Sequence, residues 1–136
     1  MTRSPCHDRA DSRLEANKRT VQAFYDAALN NKDFETASKL VGPQYIQHNP
    51  QIADGVEGLR GFISYLRATF PQLRAEIKHL FAEKNFVIAH VHGMRVPGQR
   101  GSAIVDIFRL ERGRIVEHWD VMQAIPEQAE NANGMF

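Results

Sequence analysis

The chain has 136 residues, 43% of them apolar, with 17 Lys and Arg against 16 Asp and Glu for a net charge of +1. That length makes one domain, able to bury a core without a metal or disulfide staple and too short for a second. The charge balance gives no general attraction to nucleic acid or to a membrane surface, and the single cysteine, Cys6, can form no internal disulfide.

No apolar run approaches the roughly 18 residues of a membrane span, and the N-terminus lacks the apolar core of a secretion signal, so a cytoplasmic protein is expected. Residues 1–12, MTRSPCHDRADS, lack apolar periodicity and read as a disordered leader. From Leu14 the spacing of Val21, Phe24, Tyr25, Ala28 and Leu29 predicts a first helix to about Asn31, with Asp11 or Ser12 as N-cap. Asp33 can cap a second, short helix with Phe34, Ala37, Leu40 and Val41 inward, ended by Gly42-Pro43. Residues 45–50, YIQHNP, read as a short strand stopped by proline, and Pro50 to Gly55 as a loop. Val56, Leu59, Phe62, Ile63, Leu66 and Phe70 mark a third helix, closed by Pro71.

The period then changes to two. Leu73, Ala75, Ile77, His79 and Phe81 alternate with Arg74, Glu76 and Lys78, and residues 86–94, FVIAHVHGM, form the next strand before a turn at Pro97-Gly98. The last two strands, 104–110 and 114–123, are predicted to form a hairpin around a three-residue loop, Glu111-Arg112-Gly113. That register sets Leu110 opposite Arg114, Phe108 opposite Val116, Asp106 opposite His118 and Ile104 opposite Asp120. These residues and Met122 then share one face. A two-residue loop would reverse the faces of one strand and dissolve the grouping.

Three helices before a meander of long strands is an α+β pattern: a cone-shaped, curved antiparallel sheet with three N-terminal helices enclosing a cavity. The domain is expected over residues 13–125, with a tail at 126–136. The odd face of the hairpin, Val105, Ile107, Trp119 and Val121, is also apolar, which points to a homodimer through the outer sheet face.

Asp106, His118 and Asp120 form the core of the candidate site. Burial raises a carboxyl pKa and a protonated histidine lowers it, so such a cluster can poise one group as base and another as acid. A buried Asp-His pair that merely holds the hairpin is the structural alternative. His48 could point into the same cavity and bind a carbonyl, or cap the loop with Asn49, which reads as a turn residue. His90 and His92 share a strand face; if that face lines the cavity they bind substrate, together with Tyr25, Phe108 and Met122. His-x-His with dispersed partners fits no tight metal-ligand motif, so no metal or other cofactor is expected. Tyr25 could donate to an oxyanion or sit in the core. Met135 and Phe136 end a polar tail and could dock over the cavity mouth or a partner subunit.

The order helix, helix, YIQHNP, helix, then VDIFRLERGRIVEHWDV resembles the SnoaL-like branch of the superfamily that includes nuclear transport factor 2 and the ketosteroid isomerases, over about Leu14 to Gln123. SnoaL-like cyclases close polyketide rings by an intramolecular aldol condensation without a cofactor, using a cavity aspartate as acid and base. The resemblance puts that aspartate at Asp120. Ketosteroid isomerases place an aspartic acid at the position of Asp106 and a tyrosine on the first helix, where Tyr25 stands. Their general base would fall at Asn49, an amide that cannot take a proton.

The expected function is a cofactor-independent lyase or isomerase acting on a small apolar carbonyl compound. Asp120, His118, Asp106 and His48 would carry the acid-base chemistry. A non-catalytic small-molecule-binding dimer and a metal-assisted enzyme are the alternatives. An epoxide hydrolase would need Arg109 between two aspartates, and Arg109 has the wrong parity.

Overall fold

The computed structural model of the protein describes residues 5–136. Helix α1 runs Pro5–Tyr25, α2 Phe34–Ser38 and α3 Gly55–Thr69; the strands are β1 Val41–Gln47, β2 Arg74–Glu83, β3 Phe86–Met94, β4 Ser102–Glu111 and β5 Arg114–Ala124. Residues 5–12 are therefore helical and not a disordered leader, because no helix breaker lies between Cys6 and the expected caps at Asp11 and Ser12. Residues 1–4 of that segment lie outside the described residues. Among the described residues no helix is long and apolar enough to cross a membrane.

Helix α1 widens into a π-helical turn, Asp26–Asn30, in which Asn31 N–H donates to Asp26 O at 2.8 Å. The turn aims the Asn30 amide at the edge strand, where it accepts from Ala75 N–H (2.8 Å) and donates to Ala75 O (3.1 Å). Helix and sheet are thereby tied at one corner. Asp33 does cap α2, accepting from Thr36 N–H, but α2 stops at Ser38, and Gly42-Pro43 lie inside β1 instead of closing the helix.

The five strands form one open sheet in the order β1-β5-β4-β3-β2. Four strands are antiparallel neighbours, but β1 runs parallel to β5, so the sheet is mixed and not wholly antiparallel. The α+β class holds. The helices cover one face, where Val87, Ala89, Val91, Phe108, Leu110 and Ile115 pack against Val21, Phe24, Tyr25, Leu59 and Ile63. Each fully buried large apolar side chain here contributes roughly 1.5–3 kcal/mol.

The hairpin differs from the expected one in a way that preserves its faces. The turn has two residues, Arg112 and Gly113, both at positive φ (52° and 77°), and Glu111 pairs with Arg114. A bulge then absorbs Val116: Leu110 pairs with Ile115, but Arg109 pairs with Glu117. The extra residue has moved from the loop into the strand. Beyond the bulge His118 and Asp120 still share the inner face with the even-numbered residues of β4, but the rungs are shifted by one pair: Asp106 faces Asp120, Phe108 faces His118 and Ile104 faces Met122.

A second bulge, at Lys78 in β2, overturns the simple alternation there. Ala75 and Ile77 point inward before it and Leu80 and Ala82 after it, so His79 and Phe81 are thrown to the outer face.

Candidate active site

Asp106, His118 and Asp120 converge as expected. His118 Nε2 lies 2.7 Å from Asp106 Oδ1 and 3.7 Å from Asp120 Oδ2. Their ligand-capable atoms all fall within 4.8 Å of one another. The strand rungs explain this: Asp106 sits between Asp120 on β5 and Ala89 on β3, and the small Ala89 leaves room for Tyr25 to descend from α1. The Tyr25 hydroxyl donates to Asp106 Oδ2, and its ring meets Phe108 edge-on at 5.9 Å. Phe108 in turn lies against the His118 ring, with centroids 5.0 Å apart.

The three ionisable groups have unequal surroundings. Asp106 and His118 are buried and Asp120 only slightly less so, its side chain 13% exposed against 10% for Asp106, but the two carboxyls have different partners: His118 and Tyr25 hold Asp106, and Asn49 holds Asp120. Burial pushes the Asp106 carboxyl above its ordinary range; the hydrogen bond and charge of His118 pull it back, and Asp120 opposite adds to the upward push. Burial likewise pushes the Tyr45 phenol up.

Two site residues went unrecognised in the sequence. Asn49 Nδ2 lies 2.9 and 3.0 Å from the two carboxylate oxygens of Asp120, so this residue is more than a turn former. Gln47 Oε1 lies 2.7 Å from His118 Nδ1 and accepts from Asn49 N–H at 3.0 Å. The signal was present as alternation: Tyr45 is buried, so Gln47 and Asn49 follow it onto the inner face.

Other expected site residues lie elsewhere. His48 does share a face with Ile46, but that face is the outer one. Its ring stacks on Trp119 at 4.8 Å and its Nε2 is 2.7 Å from Glu117 Oε2, so it cannot reach the Asp106 cluster. Glu117 also accepts from Arg109 at 2.8 Å, and these partners hold its carboxyl below the usual range, His48 contributing most. Arg109 is thus an outer-face residue, as its parity required.

His90 and His92 are also on the outer face, because β3 turns Val87, Ala89 and Val91 inward. They meet the C-terminal Phe136 ring at 5.2 and 4.9 Å, so the tail docks on the outer face and not over the candidate site. Met122 belongs to the sheet end: it is exposed and lines an outer-face cavity of about 430 Å³ with His90, Val105, Val121 and Met135. A second cavity, about 410 Å³, lies between α1 and β2 around Gln22, Asp26 and Glu76. Neither touches Asp106, His118 or Asp120. Tyr25 and Phe108 pack directly against the cluster, Tyr25 on Asp106 and Phe108 on the His118 ring.

A bound cation would find three donors here, but both nitrogens of His118 are already engaged, Nε2 with Asp106 and Nδ1 with Gln47. Coordination by His118 would have to displace one of those hydrogen bonds.

Solved structures share this architecture. TsrD from Streptomyces laurentii superposes with a TM-score of 0.67 at 24% identity, over 79% of this chain and 88% of that one. IdmH from Streptomyces antibioticus gives 0.65 at 24% identity, over 78% and 91%. An NTF2-like protein of unknown function from Cytophaga hutchinsonii gives 0.65 at 19% identity, over 79% and 89%. At these identities the likeness is one of fold. No curated protein matches the sequence. The family profile described as SnoaL-like polyketide cyclase matches residues 19–129, which contain every member of the Asp106–His118–Asp120 cluster, and the chain belongs to that family.

Proposed function

We propose that the protein is a cofactor-independent acid-base enzyme that moves a proton α to the carbonyl of a small, mostly apolar compound, in an aldol-type condensation or cyclisation. The observation that carries this reading is the convergence of two carboxyl groups of unlike environment on one histidine. Asp120, held by Asn49, is the base. Asp106 and His118 share a buried hydrogen bond at 2.7 Å, backed by Tyr25, and are the acid that protonates the developing oxyanion. Family membership supports the reaction class, and IdmH and TsrD supply no substrate for this chain.

The test is exchange of α-protons with solvent deuterium, followed by NMR for a panel of cyclic and aliphatic ketones and aldehydes. Catalysed exchange that disappears in Asp120→Asn is the expected result. Ligands that bind without exchange or condensation in the wild-type protein would overturn the catalytic reading in favour of a binding module.

The same proposal includes a homodimer through the outer sheet face. Val121 and Phe81 are 68% and 57% exposed there, beside Val105 and the stacked His48 and Trp119 rings. A patch of this kind is what a second copy would cover.

A further inference from the structure

We infer that Gln47 is a positioning residue: it holds the proton of His118 on Nδ1, so that Nε2 and one shared proton are committed to Asp106 while Asp120 stays free to meet substrate. The last part of this rests on the acid-base reading above. The first part stands on hydrogen-bond directions alone.

The chain of donors begins at a group whose direction is beyond choice. Asn49 N–H is a backbone amide and can only donate; its partner, 3.0 Å away, is Gln47 Oε1. Were the Gln47 amide turned over, two N–H groups would face each other. The other end agrees, because Gln47 Nε2 then lies 3.5 Å from the Tyr45 hydroxyl, which can accept. The oxygen so fixed is also 2.7 Å from His118 Nδ1, and an amide oxygen cannot donate. Nδ1 therefore carries a proton.

This leaves Nε2 as the only nitrogen of the ring whose proton can come and go. It is 2.7 Å from Asp106 Oδ1, so a single proton lies between them, written either as carboxylic acid and neutral imidazole or as carboxylate and imidazolium. Asp106 Oδ2 is occupied by the Tyr25 hydroxyl. Asp120 Oδ2, at 3.7 Å, is beyond hydrogen-bond range of Nε2. The titratable groups facing the His118 ring are thus Asp106 from β4, Asp120 from its own strand, and through their partners Tyr25 from α1 and Tyr45 from β1.

The strand register makes Gln47 suited to this task. Gln47 and His118 are partners in the parallel β1–β5 ladder, and His48 N–H donates to His118 O at 3.0 Å, which pins the two strands at this rung. Without the Gln47 oxygen the ring has no acceptor on its β1 side. The Nδ1 proton is then lost to solvent, and the shared proton settles on Nε2 as a neutral imidazole donating to the Asp106 carboxylate, so the pair no longer holds an acid proton to give.

The tautomer can be read directly by long-range ¹H–¹⁵N correlation NMR of the imidazole nitrogens in ¹⁵N-labelled full-length protein at neutral pH, with His118→Gln for assignment. The expected spectra show Nδ1 protonated in the wild type and in Gln47→Glu, whose carboxylate also accepts, and protonation shifted to Nε2 in Gln47→Leu. Where turnover is measured, Gln47→Leu should lower kcat by roughly tenfold to a hundredfold with little change in KM, and Gln47→Glu should restore most of it. An unprotonated Nδ1 in the wild type, or an unchanged Nδ1–H in Gln47→Leu, overturns the inference. If Gln47→Leu does not fold, the wild-type and Gln47→Glu spectra decide alone. No substrate is needed for these spectra. A protonated Nδ1 in a protein that turns over no carbonyl compound would sink the proposed function and leave the control of the ring by Gln47 standing.

Discussion

Asp106 and Asp120 face each other directly across β4 and β5, two carboxyl groups on one rung, with His118 Nε2 2.7 Å from the first and 3.7 Å from the second. Like charges on such a rung destabilise a sheet. The pair persists because its members are held differently: Asp106 is hydrogen-bonded to Tyr25 and His118, while Asp120 is held by Asn49. Unlike environments for two neighbouring carboxyls are how one fold supplies an acid and a base at one pH.

Asp120→Asn should therefore lower turnover by about 10²–10⁴-fold, the usual contribution of a general base. The fold should be nearly unaffected, because the new amide oxygen can still accept from Asn49. Paired measurements of α-proton exchange and thermal unfolding check this. A variant that keeps wild-type exchange would remove Asp120 from the mechanism.

Asp106 should behave differently, as a contributor to stability with a defined pH dependence. Burial raises its pKa above the unfolded value of about 3.8, so the native protein holds this proton more tightly than the unfolded chain. The stability it contributes is complete below that value and is lost as pH rises through the higher native pKa. Asp106→Asn keeps a donor toward His118 Nε2 and an oxygen toward Tyr25, mimicking the protonated acid. It should flatten this part of the pH profile. Asp106→Ala leaves both partners unpaired and should cost about 3–5 kcal/mol. Urea unfolding across the acid to neutral range reads both effects; a downward slope that survives in Asp106→Asn would assign it to another group.

Much of this was readable from residue spacing, and the failures have identifiable physical causes. The helices followed their 3.6-residue pattern, and the inward set Asp106, His118 and Asp120 came out correctly although the loop length did not. A three-residue loop and a two-residue turn with Val116 bulged give the same parity, because one extra residue is absorbed in either place. What differed was the rung, so Asp120 and not His118 faces Asp106. The inner face of β3 was undetermined because Val87, Ala89 and Val91 alternate with the equally apolar Phe86 and Ile88. Space beside Asp106 settled it in favour of the small residues. Gln47 was not legible because an amide carries no acid-base chemistry of its own beside the imidazole of His48, although the burial of Tyr45 sets the inward positions of β1.

The Val116 bulge has its own requirement on β1. A Cβ placed on Gly42 would lie 2.8 Å from Val116 Cγ1, a short, branched side chain with little freedom to withdraw. Gly42→Ala should thus destabilise the protein by about 1–3 kcal/mol, as overpacking of a filled core does. Adding Val116→Ala should recover part of the loss by removing the clashing methyl. A double-mutant cycle measured by chemical unfolding tests this coupling, and additive effects of the two substitutions would show that the bulge and Gly42 are independent.

The outer face offers a test of assembly that leaves the acid-base site intact. Val121 follows Asp120 in sequence but points to the opposite side of the sheet, where it is 68% exposed and lines the cavity under Met135. If two copies meet on this face, Val121→Glu places a charge in an apolar contact without a partner, at a cost of several kcal/mol per interface. Sedimentation should then show a wild-type dimer and a monomeric variant at the same concentration. Turnover per chain should be retained, since Tyr25, Gln47, Asn49, Asp106, His118 and Asp120 all come from one subunit and lie across the sheet from the substitution. A wild-type protein that sediments as a monomer would overturn the dimer, since Val121 stays exposed with Phe136 already docked against His90 and His92.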